Sequence, residues 1–145
     1  MQRSERSLKL GYLAGIIDGE GCFNIAKCRT SFVPRILVTN TNFRLAMWLK
    51  KNIGGDVGKT IVKGKSNWKP RYMWRLSQGK ATELAEILQP HLIVKEKQAR
   101  CFMVWAAVRN VYKPKERKPF YRILKTKLRN LNRKGQDASL YREAA

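Results

Sequence analysis

Residues 18–21 read Asp-Gly-Glu-Gly, with two carboxylates one glycine apart. They close the stretch GYLAGIIDGEGCF (11–23), whose apolar spacing is that of a helix and whose helix formers run out at the acids. A surface helix ordinarily ends in lysine or arginine, which complement the negative end of its dipole. Gly11 and Gly15 lie four residues apart on one face with Ala14 beside them, a small-residue ridge along which a second copy of the helix can approach closely. Tyr12, Leu13, Ile16 and Ile17 supply apolar surface toward a core. Two copies meeting on that ridge would bring both Glu20 carboxylates to nearly one place, where they repel unless a divalent cation sits between them. Mg2+ suits such a site, being a hard ion that takes oxygen ligands and keeps several waters. Carboxylate-held metal beside a polyanion-binding face points to phosphodiester hydrolysis. The bland alternative is a helix-end loop in which Gly19 and Gly21 provide turn geometry and nothing more.

The elements that must position these acids follow from the patterning. The first helix is capped by Ser4 or Ser7 and ends by Asp18 or Gly19. From Cys22 the period changes to two: Phe23 and Ile25 alternate with Asn24, Ala26 and Cys28. After a loop at Thr30 and Ser31, Ile36 and Val38 oppose Arg35, Leu37 and Thr39, which reads as a hairpin. A helix capped by Thr41 or Asn42 and stopped by Gly54-Gly55 follows. A second hairpin ends in RYMWRLS, with Tyr72, Trp74 and Leu76 on one face and Arg71, Met73 and Arg75 on the other. Residues 81–88 form a short helix closed by Pro90, and 94 to about 112 a longer apolar one. After KPKERKP a last helix runs from Phe120 to Gly135.

Charge decides the partner class. The 145 residues hold 31 Lys and Arg against 10 Asp and Glu, a net charge of +21, which points to a polyanion, nucleic acid first and a membrane surface second. No run of about 18 apolar residues offers a membrane span, and MQRSERSLKLGY lacks an apolar block of signal-peptide length. The three cysteines, Cys22, Cys28 and Cys101, are odd in number and lack metal-ligand spacing. Cys22 and Cys28 stand about 20 Å apart on a straight strand, so an intracellular, reducing compartment is expected rather than secretion. Helices must cover one face of the sheet, which leaves the other open. Between Val57 and Arg75 lie Lys59, Lys63, Lys65, Lys69, Arg71 and Arg75 with no acid, and Lys27, Arg29 and Arg35 add to them from the first hairpin. A twisted β-surface of this kind can lie in a DNA major groove, read by Asn24, Ala26, Cys28, Arg35, Leu37, Lys59, Arg71, Met73 and Arg75. The alternative is a solvated face kept soluble by its charge.

The nonapeptide LAGIIDGEG (13–21) resembles the signature of the LAGLIDADG homing endonucleases, with Ile16 for Leu, Gly19 for Ala and Glu20 for Asp. The order of elements over residues 7 to about 110, and LQPHLIVKEKQA (88–99), extend the resemblance. It implies an α+β fold, α-ββ-α-ββ-α with a saddle-shaped antiparallel sheet and extra C-terminal helices, in one domain over 1–135 (core about 7–110, basic helices 111–135) with 136–145 as a loose tail. It implies Glu20 as the direct metal ligand, aided by the Gly19 carbonyl, with Asp18 supporting the helix end and the interface. Lys95 would contact the scissile region or order the attacking water, with Lys97 its rival two residues on. Asn40 would position solvent and Arg44 would join the same network. Gly11, Ala14 and Gly15 would form the interface of a homodimer, since the chain holds one copy of the motif, and a symmetric dimer reads a partly palindromic site. Each strand of double-stranded DNA would be hydrolysed once across the minor groove, leaving short 3′ overhangs. Mg2+ would be the cofactor, with Mn2+ able to replace it and Ca2+ supporting binding without cleavage. Two other readings use the same scaffold: a maturase that binds intron RNA, and a DNA-binding regulator that does not cut. Glu20 and Lys95 favour catalysis.

Three further features carry less. His91 has no ligand or carboxylate at useful spacing and reads as a structural or surface residue. Trp68, in the basic loop, lies either on a sugar or base or in hairpin packing. Residues 109–134 hold eleven Lys and Arg against Glu116 alone. Leu124, Leu128 and Leu131 dock that helix, and its cationic face is free to grip phosphates non-specifically.

Overall fold

The computed structural model describes residues 2–61, 64 and 67–133. The chain runs α1 (Gln2–Glu20), β1 (Gly21–Cys28), β2 (Ser31–Asn40), α2 (Phe43–Ile53), β3 (Asp56–Thr60), β4 (Arg71–Ser77), α3 (Gly79–Leu88), a 3-10 turn over Gln89–His91, α4 (Glu96–Val111) and α5 (Pro114–Leu131). This is the expected α-ββ-α-ββ-α order followed by two C-terminal helices, α4 and α5. The strands form one antiparallel sheet in the order β1-β2-β4-β3.

Alternation sorts the sheet into two faces. Phe23, Ile25, Ile36, Val38, Trp74 and Leu76 are buried beneath the helices, because successive side chains on a strand point to opposite sides. Leu13, Ala14 and Ile17 of α1, Ala46 and Leu49 of α2, Leu84 and Leu88 of α3, Phe102 and Trp105 of α4, and Leu124 and Leu128 of α5 complete the core. Phe23 meets Phe102 edge-on at 5.2 Å between ring centroids, and the buried Trp74 indole N–H donates to the Gly54 carbonyl at 2.7 Å.

Several boundaries differ from the sequence expectation, each for a local reason. α1 begins at Gln2 and takes in Asp18, Gly19 and Glu20, so both acids belong to its last turn. Gly21 must be glycine: a Cβ there would stand 2.6 Å from the Ile17 carbonyl oxygen. β2 starts at Ser31 and contains Pro34, which has no N–H for the ladder. It lies just outside the β2–β4 register, and its carbonyl accepts from Gln78 N at 2.9 Å. α5 starts at Pro114, inside the segment read as a linker. Proline suits a first helical position, and the Glu116 carboxylate accepts from Lys113 N at 3.1 Å to cap it. Asn42 is the cap of α2, accepting from Arg44 N at 2.9 Å.

Candidate active site and nucleic-acid interface

α1 has two unlike faces. Leu13, Ala14 and Ile17 are buried in the chain's own core. The expectation that Ala14 shares an outward ridge is therefore corrected: at 3% exposure it packs inward, one helical step away from Gly11 and Gly15. Gly11, Gly15 and Gly19 are open, and a Cβ on any of them would meet nothing within 4 Å. Tyr12 lies beside them, 55% exposed, its ring edge-on to Trp48 at 4.9 Å.

Asp18 and Glu20 divide the same helix end between two tasks. The Asp18 carboxylate accepts three backbone N–H groups from the turn that leads into α4: Ile93 at 2.7 Å, Val94 at 3.2 Å and Lys95 at 3.0 Å. The Lys95 ammonium in turn donates to the Asp18 carbonyl. Lys95 thus supplies the cation that the last turn of α1 lacks in its own sequence, at the negative end of the helix dipole. This pairing across 77 residues was not visible as a local pattern. Glu20 is exposed, and no described residue pairs with or hydrogen-bonds its carboxylate. Lys95 also acts on Cys22: burial pushes that thiol above its ordinary range while the Lys95 ammonium pulls the other way. The end of α1, the start of β1 and the start of α4 therefore share one electrostatic neighbourhood. Lys97 is exposed on the first turn of α4. Among the described residues no three His, Cys, Asp or Glu side chains gather as a metal cage.

Asn40 ends β2, and its side-chain carbonyl accepts from Asn42 N at 2.8 Å, which leaves the amide N–H groups as its free function. Arg44 lies exposed on the first turn of α2.

On the uncovered face of the sheet the register sets Asn24 opposite Arg35, Leu37 opposite Cys22 and Arg75, and Thr39 opposite Met73. Ala26 and Cys28 continue the row from β1, and Arg71 from β4, in keeping with the expected surface. An Arg35 guanidinium N–H donates to the Cys28 sulfur at 3.0 Å. Arg29 occupies the β1–β2 turn with φ 54°. Trp68, 47% exposed, carries the Arg71 guanidinium over its ring at 5.5 Å. Lys59 needs correction: it pairs with Tyr72, on the face that carries Trp74, because the neighbours pairing with the open residues Met73 and Arg71 are Gly58 and Thr60. Lys63 and Lys65 lie outside the described residues, as does the tail from 134. The open face also carries Cys22, two residues before Asn24 on β1, and Asp56, which faces Arg75. His91 is exposed in the 3-10 turn, and the three cysteines are free.

No protein-family model matches the sequence, and no curated protein sequence matches it. Solved structures do. The homing endonuclease I-CvuI, solved with the I-CreI target and Mg, is 21% identical over 90% of this chain and 85% of its own, with a TM-score of 0.71. The archaeal intron-encoded homing endonuclease I-Vdi141I, complexed with DNA, is 20% identical over 90% and 87%, with a TM-score of 0.70. The LAGLIDADG meganuclease I-AabMI, bound to uncleaved DNA, is 18% identical and covers 84% of this chain but 43% of its own, with a TM-score of 0.54. By these likenesses, and by its own element order and sheet, the chain has the fold of the LAGLIDADG homing endonucleases.

Proposed function

We propose that this chain is a divalent-metal-dependent, site-specific DNA endonuclease of the homing type that works as a homodimer on a partly palindromic duplex. The observation that carries the reading is the outer face of α1: three glycines whose missing side chains the fold does not require, leading to a glutamate that no described residue engages. A second copy seated on those glycines would bring its own Glu20 beside the first. A pair of exposed carboxylates flanked by helix-end carbonyls offers the hard oxygen donors that Mg2+ takes. One chain alone gathers no three-ligand cage among its described residues, which fits a site shared between copies.

Glu20, with the Gly19 carbonyl, would hold the ion. Bound there, Mg2+ supplies Lewis-acid stabilisation of the phosphoryl oxygens and an acidified water. Lys95, anchored on the Asp18 carbonyl two residues before Glu20, would supply a fixed positive charge suited to a developing phosphorane charge or to orienting the nucleophile. Asn40 keeps two amide donors for solvent, and Arg44 joins it from the next helix. The uncovered sheet face would lie in the major groove, with Arg35, Arg71 and Arg75 as its longest readers of guanine edges.

The test uses duplex DNA spanning the site where the gene is inserted. The wild type is expected to bind it in Ca2+ and cut both strands in Mg2+ or Mn2+, leaving short 3′ overhangs. Glu20→Gln is expected to bind with unchanged affinity and lose cutting by several orders of magnitude. Normal cleavage by that variant would remove Glu20 from the chemistry. Tight binding with no cutting in any divalent metal would leave a DNA-binding regulator.

A further inference from the structure

α5 carries a row of cations that the sheet surface does not account for. At 100° per residue, Lys115, Lys118, Arg122, Lys125 and Arg129 fall within an arc of about 80°, and Arg133 follows two residues past the helix end. Tyr121, Leu124 and Leu128, which dock the helix, lie on the neighbouring arc and are buried. No acid interrupts the row, and the side-chain ion pairs among the described residues are Lys9–Glu5 and Arg100–Glu96, so none of the six is neutralised there. Five of the six are exposed and Lys125 is half-buried. A solubilising surface normally intersperses both signs; a single-sign stripe directs a field.

The position of the row matters as much as its charge. β1 is an edge strand of the sheet, and α5 packs against it, from Tyr121 beside Phe32 of the neighbouring β2 to Asn132 beside Phe23. Just past the helix, the Asn132 side-chain amide donates to the Phe23 carbonyl at 2.9 Å, tying the end of α5 to that edge. A cleft of about 230 Å3 between the two is lined by Asn24 together with Lys125, Arg129 and Arg133. Asn24 also stands on the open face, opposite Arg35. The row and the uncovered sheet therefore meet at one edge. From Lys115 to Arg129 the helical rise is about 21 Å, the length of about six steps of one DNA strand at 3.4 Å each.

We infer that the α5 row binds the phosphates of one strand of duplex DNA along the β1 edge, as a sequence-independent rail outside the base-reading surface. The inference rests on the duplex-binding reading above and adds a second surface to it. Its contribution is electrostatic: each phosphate neutralised releases condensed counterions, which steepens the salt dependence of binding without preference for sequence.

The experiment measures binding of a fluorescein-labelled random-sequence duplex as a function of salt. It compares wild type, Arg122→Gln/Lys125→Gln/Arg129→Gln, and a control with the same loss of charge elsewhere, Lys50→Gln/Lys80→Gln/Lys127→Gln. The row variant is expected to lower the slope of log K against log salt by about 2 to 3, near 0.9 per lost phosphate contact, while the control changes it by less than about 1. Circular dichroism confirms that both variants are folded. Equal slopes for the two variants would overturn the rail, as would a row variant that keeps its slope on DNA and loses it only on structured RNA. If the wild type shows no salt-dependent duplex binding, the endonuclease reading falls with it, which separates the two failures.

Discussion

The two faces of α1 obey different rules although they share one helix. Inward, Leu13, Ala14, Ile17 and Asp18 are each accounted for by something in the same chain: the sheet, the other helices, or the turn before α4. Outward, Gly11, Gly15, Gly19 and Glu20 are accounted for by nothing among the described residues. Gly11 and Gly15, in the helix interior, each forgo about 0.5–1 kcal/mol of helix stability relative to alanine. A monomer under selection for stability alone has no reason to retain them where a side chain would fit without contact. The inner face belongs to folding, and the outer face is left open for the interface between copies proposed above.

Filling the outer face tests whether a second copy needs it open. Gly15→Gln adds a long neutral side chain into open space, so the isolated chain should unfold at the same or slightly higher denaturant concentration, by up to about 1 kcal/mol. Self-association, read by sedimentation, should be lost, and DNA cleavage with it. A variant that is destabilised would mean that Gly15 serves the monomer. One that stays dimeric and active would move the interface off α1.

How much of this was legible in the sequence depends on range. Period-two alternation found both faces of β1, β2 and β4 because burial acts residue by residue along a strand, and Trp74 with Leu76 against Arg71 with Arg75 needed no partner information. Lys59 joins the expected open surface by its charge and not by alternation: Val57, two residues before it, shares its face, and pairing with Tyr72 puts both on the side of Trp74. Size alone groups Ala14 with Gly11 and Gly15, whereas its direction is fixed by the core below it. The Asp18–Lys95 contact was out of reach, since no local signal links a helix C-terminus to a turn 77 residues later. KPKERKP reads as a breaker by composition, yet its first proline sits where a helix tolerates one and Glu116 caps it.

A second test compares the two acids. Asp18→Asn keeps one carbonyl oxygen and replaces the other with an amide whose hydrogens oppose the Ile93 N–H. Charge-assisted hydrogen bonds to backbone donors are at stake, so a loss of about 1–3 kcal/mol is expected in chemical denaturation. Glu20→Gln should stay within about 0.5 kcal/mol of wild type. Equal losses for the two would erase the distinction between a committed and an uncommitted carboxylate.

The smallest effect concerns the residue that joins the two faces. The Lys95 ammonium rests on the Asp18 carbonyl and is felt at the Cys22 thiol, where it opposes the upward push of burial. Removing it leaves burial unopposed. In Lys95→Ala the Cys22 thiol should therefore titrate at higher pH than in wild type, and its alkylation profile should move to higher pH. The measurement is clean in a Cys28→Ser background, because Cys101 is buried and its own thiol is held protonated by that burial. Asp18→Asn should move the same profile in the same direction by less, because it loosens the turn that holds Lys95 without removing the charge. An unchanged profile in Lys95→Ala would place the ammonium away from the start of β1, and with it away from the Glu20 end of α1.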